Sequence, residues 1–513
     1  MNYLLTLITF IPLVGVLLVL LIPADEERTI KQIALGVSFV PLLLAIYMWF
    51  AYSTQAGGFQ FEANVPWIPA LNVNYHVGAD GLSIPLIFLT TLLTTLGLIY
   101  SSYTITKRVK EFFLLFLLLE MAMIGLFSSL DLVLFFVFWE LGLVPMYLLI
   151  GVWGQPQDRP QYAAIKFFLY TMVGSVGMML AILALYFSHG TFDIVQLSQL
   201  SPGELLQGNA WAAIAAFWAF FIAFAIKVPV WPFHTWLPDA HTAAPTAGSV
   251  ILAGILLKLG GFGMIRILLP VFPEQFRYYC WDVPIIPILA LFSIIYGALV
   301  SMAQWDLKRL IAYSSVSHMG TFMLGVSAAA AAWGNPDLAD AAAMALNGAS
   351  LQMFAHGIIT GGLFFLVGVI YERSHTRDLK NFGGLGKVTP YYYGIFMVTA
   401  LASLGLPGLV GFWAEFFVFR GAFQIMPVFA AIGVLGIIIT AAYILWKIVQ
   451  HLFLGEFSQA KWDEVTHGSR LPDMFSFEKV TMWPLVLFMI AFGVYPTPII
   501  EFFNTFSSAL FGG

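Results

Sequence analysis

The sequence predicts an all-α polytopic membrane protein with about fourteen transmembrane helices, in two inverted five-helix repeats with helices 7 and 12 broken. Three observations predict it. The 513 residues are 60% hydrophobic and only 10% charged, whereas soluble domains carry about 25% charged residues. Apolar runs of about 20 residues, the length that crosses a bilayer, recur along the whole chain. Two of the runs are interrupted, each beside an intramembrane charge.

The runs fall roughly at 3–22, 32–52, 82–102, 111–129, 130–152, 163–188, 211–239, 246–269, 284–303, 306–326, 343–371, 393–424, 427–454 and 482–505. They divide the chain into three N-terminal spans (1–110), a first five-helix unit (111–270), a second (284–455) and a loop with a last span (456–513). The first run lacks a preceding Lys or Arg, so it reads as a retained span and not a secretory signal. The polar stretch 456–480 is expected as a surface loop or an interfacial helix, and the alanine-rich "GVSAAAAAWGNPDLADAAA" as an outer loop.

Lys and Arg set the orientation. Connections after odd-numbered spans hold sixteen of the 22 cations: Arg28, Lys31, Lys107, Arg108, Lys110, Arg159, Lys166, Lys308, Arg309, Arg373, Arg377, Lys380, Lys387, Lys461, Arg470 and Lys479. Those connections are therefore expected on the cytoplasmic side, with both termini outside. The net charge of −5 is unlike that of a nucleic-acid binder. A single cysteine, Cys280, cannot build a disulfide, an iron–sulfur site or a zinc ribbon by itself, and it reads as a small buried hydrophobe.

Glu140, Lys227, Lys258 and Glu415 lie inside spans 5, 7, 8 and 12. A charge at the bilayer centre costs at least about 2.5–3.5 kcal/mol, so such residues point to function. Lys166 reads as a lysine snorkelling to the interface, and Lys447 divides between that reading and a deeper role. Glu120 in span 4 is either a structural carboxyl or a relay member. His318 and His356 lie near the middle of spans 10 and 11. One span histidine is ordinarily a satisfied core residue, but two at similar depth suit proton transfer, because imidazole accepts at one nitrogen and releases from the other. His234 and His241 read as interfacial residues at the end of span 7, without a metal-binding pattern.

The breaks explain the charges. Pro229 and Pro232 follow Lys227, and "GLPGLVG", with Pro407, precedes Glu415. A helix-interior proline costs about 3 kcal/mol. Interrupted helices in corresponding positions of two halves point to an ion site, and the freed backbone is expected to hold water beside the buried charge. Spans 7 and 12 are five apart and so run in opposite directions, as inverted repeats of spans 4–8 and 9–13 require. Glycine-rich "GGFG" and "FGGLGK" follow no strand and lack P-loop spacing. No haem, iron–sulfur or nucleotide motif is present, so neither redox catalysis nor a cofactor or metal site is expected in this chain.

"FWELGLVPMYLLIGVWG", "FAIKVPVWPFHTWLPDAHTAAPTAGSVILAGILLKLGGFGMIR", "DLKRLIAYSSVSHMG", "ERSHTRDLKNFGGL" and "GLPGLVGFWAEF" together resemble the antiporter-like, proton-translocating membrane subunits of respiratory complex I, over nearly the whole chain. The resemblance implies proton translocation through Glu140, Lys227, Lys258, His318, His356 and Glu415. It also implies coupling to a quinone-reducing complex whose flavin and iron–sulfur clusters lie in partner subunits, with neighbouring antiporter-like subunits and lipid as contacts, in a bacterial inner membrane. The glutamate at position 415, in place of lysine, and the absence of a long lateral helix select one type within that family. A subunit of a multisubunit cation/proton antiporter, or of a hydrogenase-type membrane complex, shares the same fold and is the alternative. The lysines favour H+ over Na+, since a fixed cation repels Na+ whereas a lysine can itself carry the proton.

Overall fold

In the computed structural model, residues 3–201, 203–466 and 471–512 are described; Arg470, one of the expected cytoplasmic cations, lies outside them. Among these residues, twelve helices are long and apolar enough to cross a membrane: Leu4–Leu21, Glu27–Ala51, Ser83–Thr104, Val109–Ser128, Leu132–Trp153, Pro160–His189, Ala210–Lys227, Thr246–Val271, Ile285–Ala303, Pro336–Ser374, Pro427–Phe453 and Ser476–Val494. The remaining two expected spans are a buried helix, Leu307–Ala331, and a broken one, Pro390–Ser403 followed by Val410–Ile425.

The apolar stretches of spans 8 and 11 are wholly buried, whereas fewer than half of the residues in those of spans 1, 2 and 13 are buried. Small residues let the central helices approach. A Cβ on Gly357 would sit 2.8 Å from the Gly254 carbonyl oxygen, and one on Gly254 would strike Leu93 at 2.4 Å. Close backbone contact through such residues is the usual basis of helix association in lipid. Here it joins spans 8 and 11 within one turn of Lys258 and His356.

Both expected breaks are present. Span 7 stops at Lys227 and resumes as Trp236–Ala243. Span 12 stops at Ser403 and resumes at Val410, turning through Gly405 and Gly408 at φ +78° and +91°, a backbone region that glycine enters at little cost.

Three features differ from the sequence expectation. The chain is not purely helical: β1 (Gln60–Ile68) and β2 (Val73–Ala79) form an antiparallel hairpin between spans 2 and 3. The alanine-rich stretch is mostly helix, because alanine is the strongest helix former; Leu307–Ala331 and Ala339–Ser374 leave only a short connection. The last span ends at Val494, and Pro496 starts a separate helix, Thr497–Phe511, that packs on span 11. The polar stretch after span 13, expected as a surface loop or an interfacial helix, contains a short helix, Gln459–Thr466.

Candidate functional site

Lys227 is the last residue of its half-helix. The terminal carbonyls of a helix carry partial negative charge and favour a cation there. Its ammonium lies 5.1 Å from the Trp139 ring centre and 5.7 Å from that of Phe167, and Glu140 is the carboxylate that acts on it. Among the described residues the two form no direct ion pair, and Glu140 Oε1 is buried without a hydrogen-bond partner. Trp139, adjacent to Glu140 in sequence, is fixed by its indole N–H donating to Ser175 Oγ at 3.0 Å.

Protein groups bond the backbone around the break after Lys227. Trp236 Nε1 donates to the Ile226 carbonyl at 2.9 Å, the Val230 amide to Ala225 at 2.9 Å, and the Trp231 amide to Ser293 Oγ at 2.9 Å. Pro229 and Pro232 thus stop the helix, and a tryptophan and a serine take over its backbone bonds.

Lys258 stands between two π-helical turns, Leu252–Leu256 and Met264–Leu268. Such turns loosen the regular backbone ladder and recur at functional sites. Its ammonium donates to the Ala253 carbonyl at 2.5 Å and to His356 Nδ1 at 2.6 Å. With Nδ1 accepting, the neutral imidazole carries its proton on Nε2, which is buried without a partner. The rings of His356 and His318 are 6.0 Å apart. His318 Nδ1 lies 3.2 Å from Glu415 Oε1, and its Nε2 lies 3.2 Å from Ser403 Oγ.

The side chains therefore follow the order Lys258, His356, His318, Glu415. Packing of spans 8 and 11 places His356 between Lys258 and His318. Around the two histidines and Glu415 is a small cavity also lined by Gln352, Thr360 and Ser403, of about 10 Å³ to the centre of a water-sized sphere, room for about one water molecule.

Glu415 lies in the second turn of Val410–Ile425, near the positive end of that helix. Gly405 makes space for it: a Cβ there would lie 2.9 Å from Glu415 Oε2. Lys227 at a helix C-terminus and Glu415 near a helix N-terminus have matching dipole environments of opposite sign. Pro407 lies in the exposed connection between the two halves of span 12.

Other residues fall elsewhere. Glu120 is fully buried and accepts from Ser38 Oγ at 3.3 Å, between spans 2 and 4. Lys166 is ion-paired with Asp239 at 2.8 Å. Lys447 is buried, donates to the Gln304 carbonyl and lies over the Trp305 ring at 4.2 Å. Cys280 is buried. His234 and His241 are buried, 2% and 0% exposed, and neither ring nitrogen of His241 has a hydrogen-bond partner. The helix Trp236–Ala243 that follows the break packs against neighbouring helices and buries both. Ser403, just before the "GLPGLVG" break, gave no sequence signal of its own.

Residues 129–440 match the family model for the membrane domain of NADH:quinone oxidoreductases and Mrp antiporters. The chain is 40% identical over 501 residues to NADH-quinone oxidoreductase subunit M of Rickettsia prowazekii, covering 96% of each. It is 40% identical over 515 residues to the subunit M of Rhodobacter capsulatus, covering 98% of this chain and 95% of the relative. A chain of respiratory complex I from Thermus thermophilus superposes with a TM-score of 0.83 at 30% identity, over 99% of this chain and 100% of that one. A chain of the Dietzia Mrp complex superposes with a TM-score of 0.84 at 22% identity, over 99% of this chain and 97% of that one, a likeness of fold alone.

Proposed function

From the membership of this chain in the NADH:quinone oxidoreductase/Mrp antiporter membrane family, we propose how its buried charges move protons. The chain is a multi-pass membrane subunit of a proton-pumping NADH:quinone oxidoreductase, and its partners are other membrane subunits of that complex. It translocates protons, and electron transfer takes place in other subunits.

The path begins at Lys227, whose charge state Glu140 biases. It passes to Lys258 as the central relay, crosses His356 and His318, and ends at Glu415. The hydrogen bond between Lys258 and His356, together with that between His318 and Glu415, carries this reading. A lysine passes its proton to the imidazole only as the neutral amine is tolerated, which burial favours. Movement of Glu140 relative to Lys227 changes the field at Lys227 and so switches proton release. Spans 4–8 and 9–13 act as the two inverted halves of the path, within the divisions 1–110, 111–270, 284–455 and 456–513. Flavin and iron–sulfur clusters belong to partner subunits. The membrane is a bacterial inner membrane, with the Lys- and Arg-rich connections inside, both termini outside, and Glu415 releasing outward.

The test is proton pumping by the assembled complex in proteoliposomes, scored against NADH:quinone electron transfer. Lys258→Ala is expected to lose pumping while the subunit stays in the complex. Wild-type pumping by that variant would refute the relay.

A further inference from the structure

We propose that Arg266 and Asp80 form a proton seal at the hairpin end of span 8, which closes that end to the proton held by Lys258 and so directs it to His356. The proposal rests on the relay reading above and adds the insulation that such a relay needs.

Lys258, Phe262 and Arg266 are spaced four apart along span 8. They therefore follow one face of the helix, and Arg266 stands roughly 12 Å beyond Lys258 along its axis. That end of the span meets the base of the hairpin. Asp80 directly follows β2, and both of its carboxylate oxygens lie 2.6 Å from Arg266 Nη2. The Leu82 and Ser83 amides also donate to Asp80 Oδ1, each at 3.1 Å. The guanidinium is enclosed by three phenyl rings, those of Phe59, Phe262 and Phe506, with centres 4.9, 5.3 and 5.1 Å away. Arg266 and Asp80 are 5% and 4% exposed. The C-terminal helix Thr497–Phe511 covers the site. A Cβ on Gly81 would lie 1.9 Å from the Phe502 carbonyl oxygen, and Phe506 comes from the next turn of the same helix.

A relay must not lose its proton to the wrong side before the next carrier takes it. Arginine has only donors and stays protonated at any accessible pH, so it cannot take a proton from Lys258. A free carboxylate could, but a proton added to Asp80 would have to displace one of the donors already bound to it. The fixed positive charge also repels a second cation in a narrow passage. Phe262, between the two cations on the helix face, offers no polar side-chain atom for a proton to step on. A buried ion pair is weak evidence for stability, since apolar residues of the same volume often serve as well. Its retention here, inside the π-helical turn Met264–Leu268, calls for a use.

The test uses the assembled complex in proteoliposomes. It reads the pH gradient reached at a given rate of electron transfer, and passive proton flow without NADH. Arg266→Gln frees Asp80 to take up one proton on a carboxylate oxygen and release it on the hairpin side. Loss of the gradient is expected, with electron transfer measured under uncoupler at the wild-type rate. Arg266→Lys keeps the charge and the ion pair, but a lysine can release its proton, so it is expected to leak as well; it decides the question if the Gln variant does not assemble. Adding Asp80→Asn to Arg266→Gln removes the carrier and is expected to restore the gradient. Adding Lys258→Ala to Arg266→Gln removes the source and is expected to restore passive tightness. A merely structural role predicts the opposite: a tight Arg266→Lys complex, and a double variant no better than the single one. A tight, fully coupled Arg266→Lys complex, or a leak that persists in Arg266→Gln with Asp80→Asn, overturns the seal and leaves the relay standing. Wild-type pumping by Lys258→Ala alone overturns the relay, and the seal with it.

Discussion

Lys258 and His356, 98 positions apart in the chain, share a 2.6 Å hydrogen bond where the buried stretches of two spans touch through Gly254 and Gly357. Both side chains are buried, so a proton reaches or leaves this bond only through neighbouring groups. Lys258→Arg separates carrying a proton from carrying a charge. Arginine stays protonated at any accessible pH, so this variant is expected to lose pumping as fully as Lys258→Ala. Pumping at the wild-type rate by the Arg variant would reduce Lys258 to a fixed charge.

Glu415→Gln tests the far end. Glutamine keeps the volume beside Gly405 and still hydrogen-bonds His318, but it cannot ionise. Normal assembly with pumping lowered at least about tenfold is expected. Loss of the subunit from the purified complex would instead mark Glu415 as a structural partner of the broken helix.

Glu140→Gln removes the carboxylate that acts on Lys227 without touching a hydrogen bond to it. The expected result is a coupling defect: electron transfer continues with uncoupler, and pumping falls. A pumping rate equal to wild type would remove Glu140 from the switch.

Arg266 and Asp80 form a buried pair at the end of span 8, with Arg266 Nη2 2.6 Å from both carboxylate oxygens and the two residues 5% and 4% exposed. Asp80→Asn leaves the guanidinium uncompensated, a loss of about 3–5 kcal/mol. The thermal midpoint of subunit release from the complex should fall. The double variant Asp80→Asn with Arg266→Met should recover part of it, since the orphaned charge is gone. If the double variant is no more stable than the single one, the pair's charge is not what Asp80 stabilises.

The hairpin carries its own pH dependence. His76 on β2 lies between Asp193 Oδ2 and Glu62 Oε1, each 2.8 Å away. Burial pulls its pKa down, but the bonds to Asp193 and Glu62 outweigh that and raise it; burial likewise opposes, and the His76 bond overrides, in lowering that of Asp193. A raised histidine stabilises fully below its unfolded value of about 6.5 and loses that contribution as pH rises through the folded value. A depressed Asp193 stabilises above its unfolded value and loses it as pH falls through the folded one. Hydrogen-exchange protection of the β2 amides, corrected for intrinsic rate, should therefore peak between the two titrations. His76→Gln should flatten the alkaline side; an unchanged profile would exclude His76 as its source.

What the sequence determined by itself was whatever local chemistry decides. Apolar runs, with Pro229, Pro232 and "GLPGLVG", sufficed for the spans and both breaks, because bilayer length and backbone geometry act within one segment. Glu140, Lys227, Lys258 and Glu415 stood out because a charge inside such a run is expensive wherever it goes. Tertiary structure alone decided which of them meet. His356 separates Lys258 from His318 because Gly254 and Gly357 bring spans 8 and 11 into contact, and His318 reaches Glu415 across 97 positions. His241 and Lys308, read from sequence as residues near the surface, are buried because the helix Trp236–Ala243 packs against neighbouring helices and Lys308 donates to the Ala244 carbonyl at its end. The hairpin also escaped local reading, since its strands are fixed by pairing with each other, by the His76 bond to Asp193, and by the Asn74 amide donating to Asp131 just before span 5. Hydropathy and helix breakers are properties of neighbours in sequence; proton-transfer contacts are properties of neighbours in space, and packing sets those.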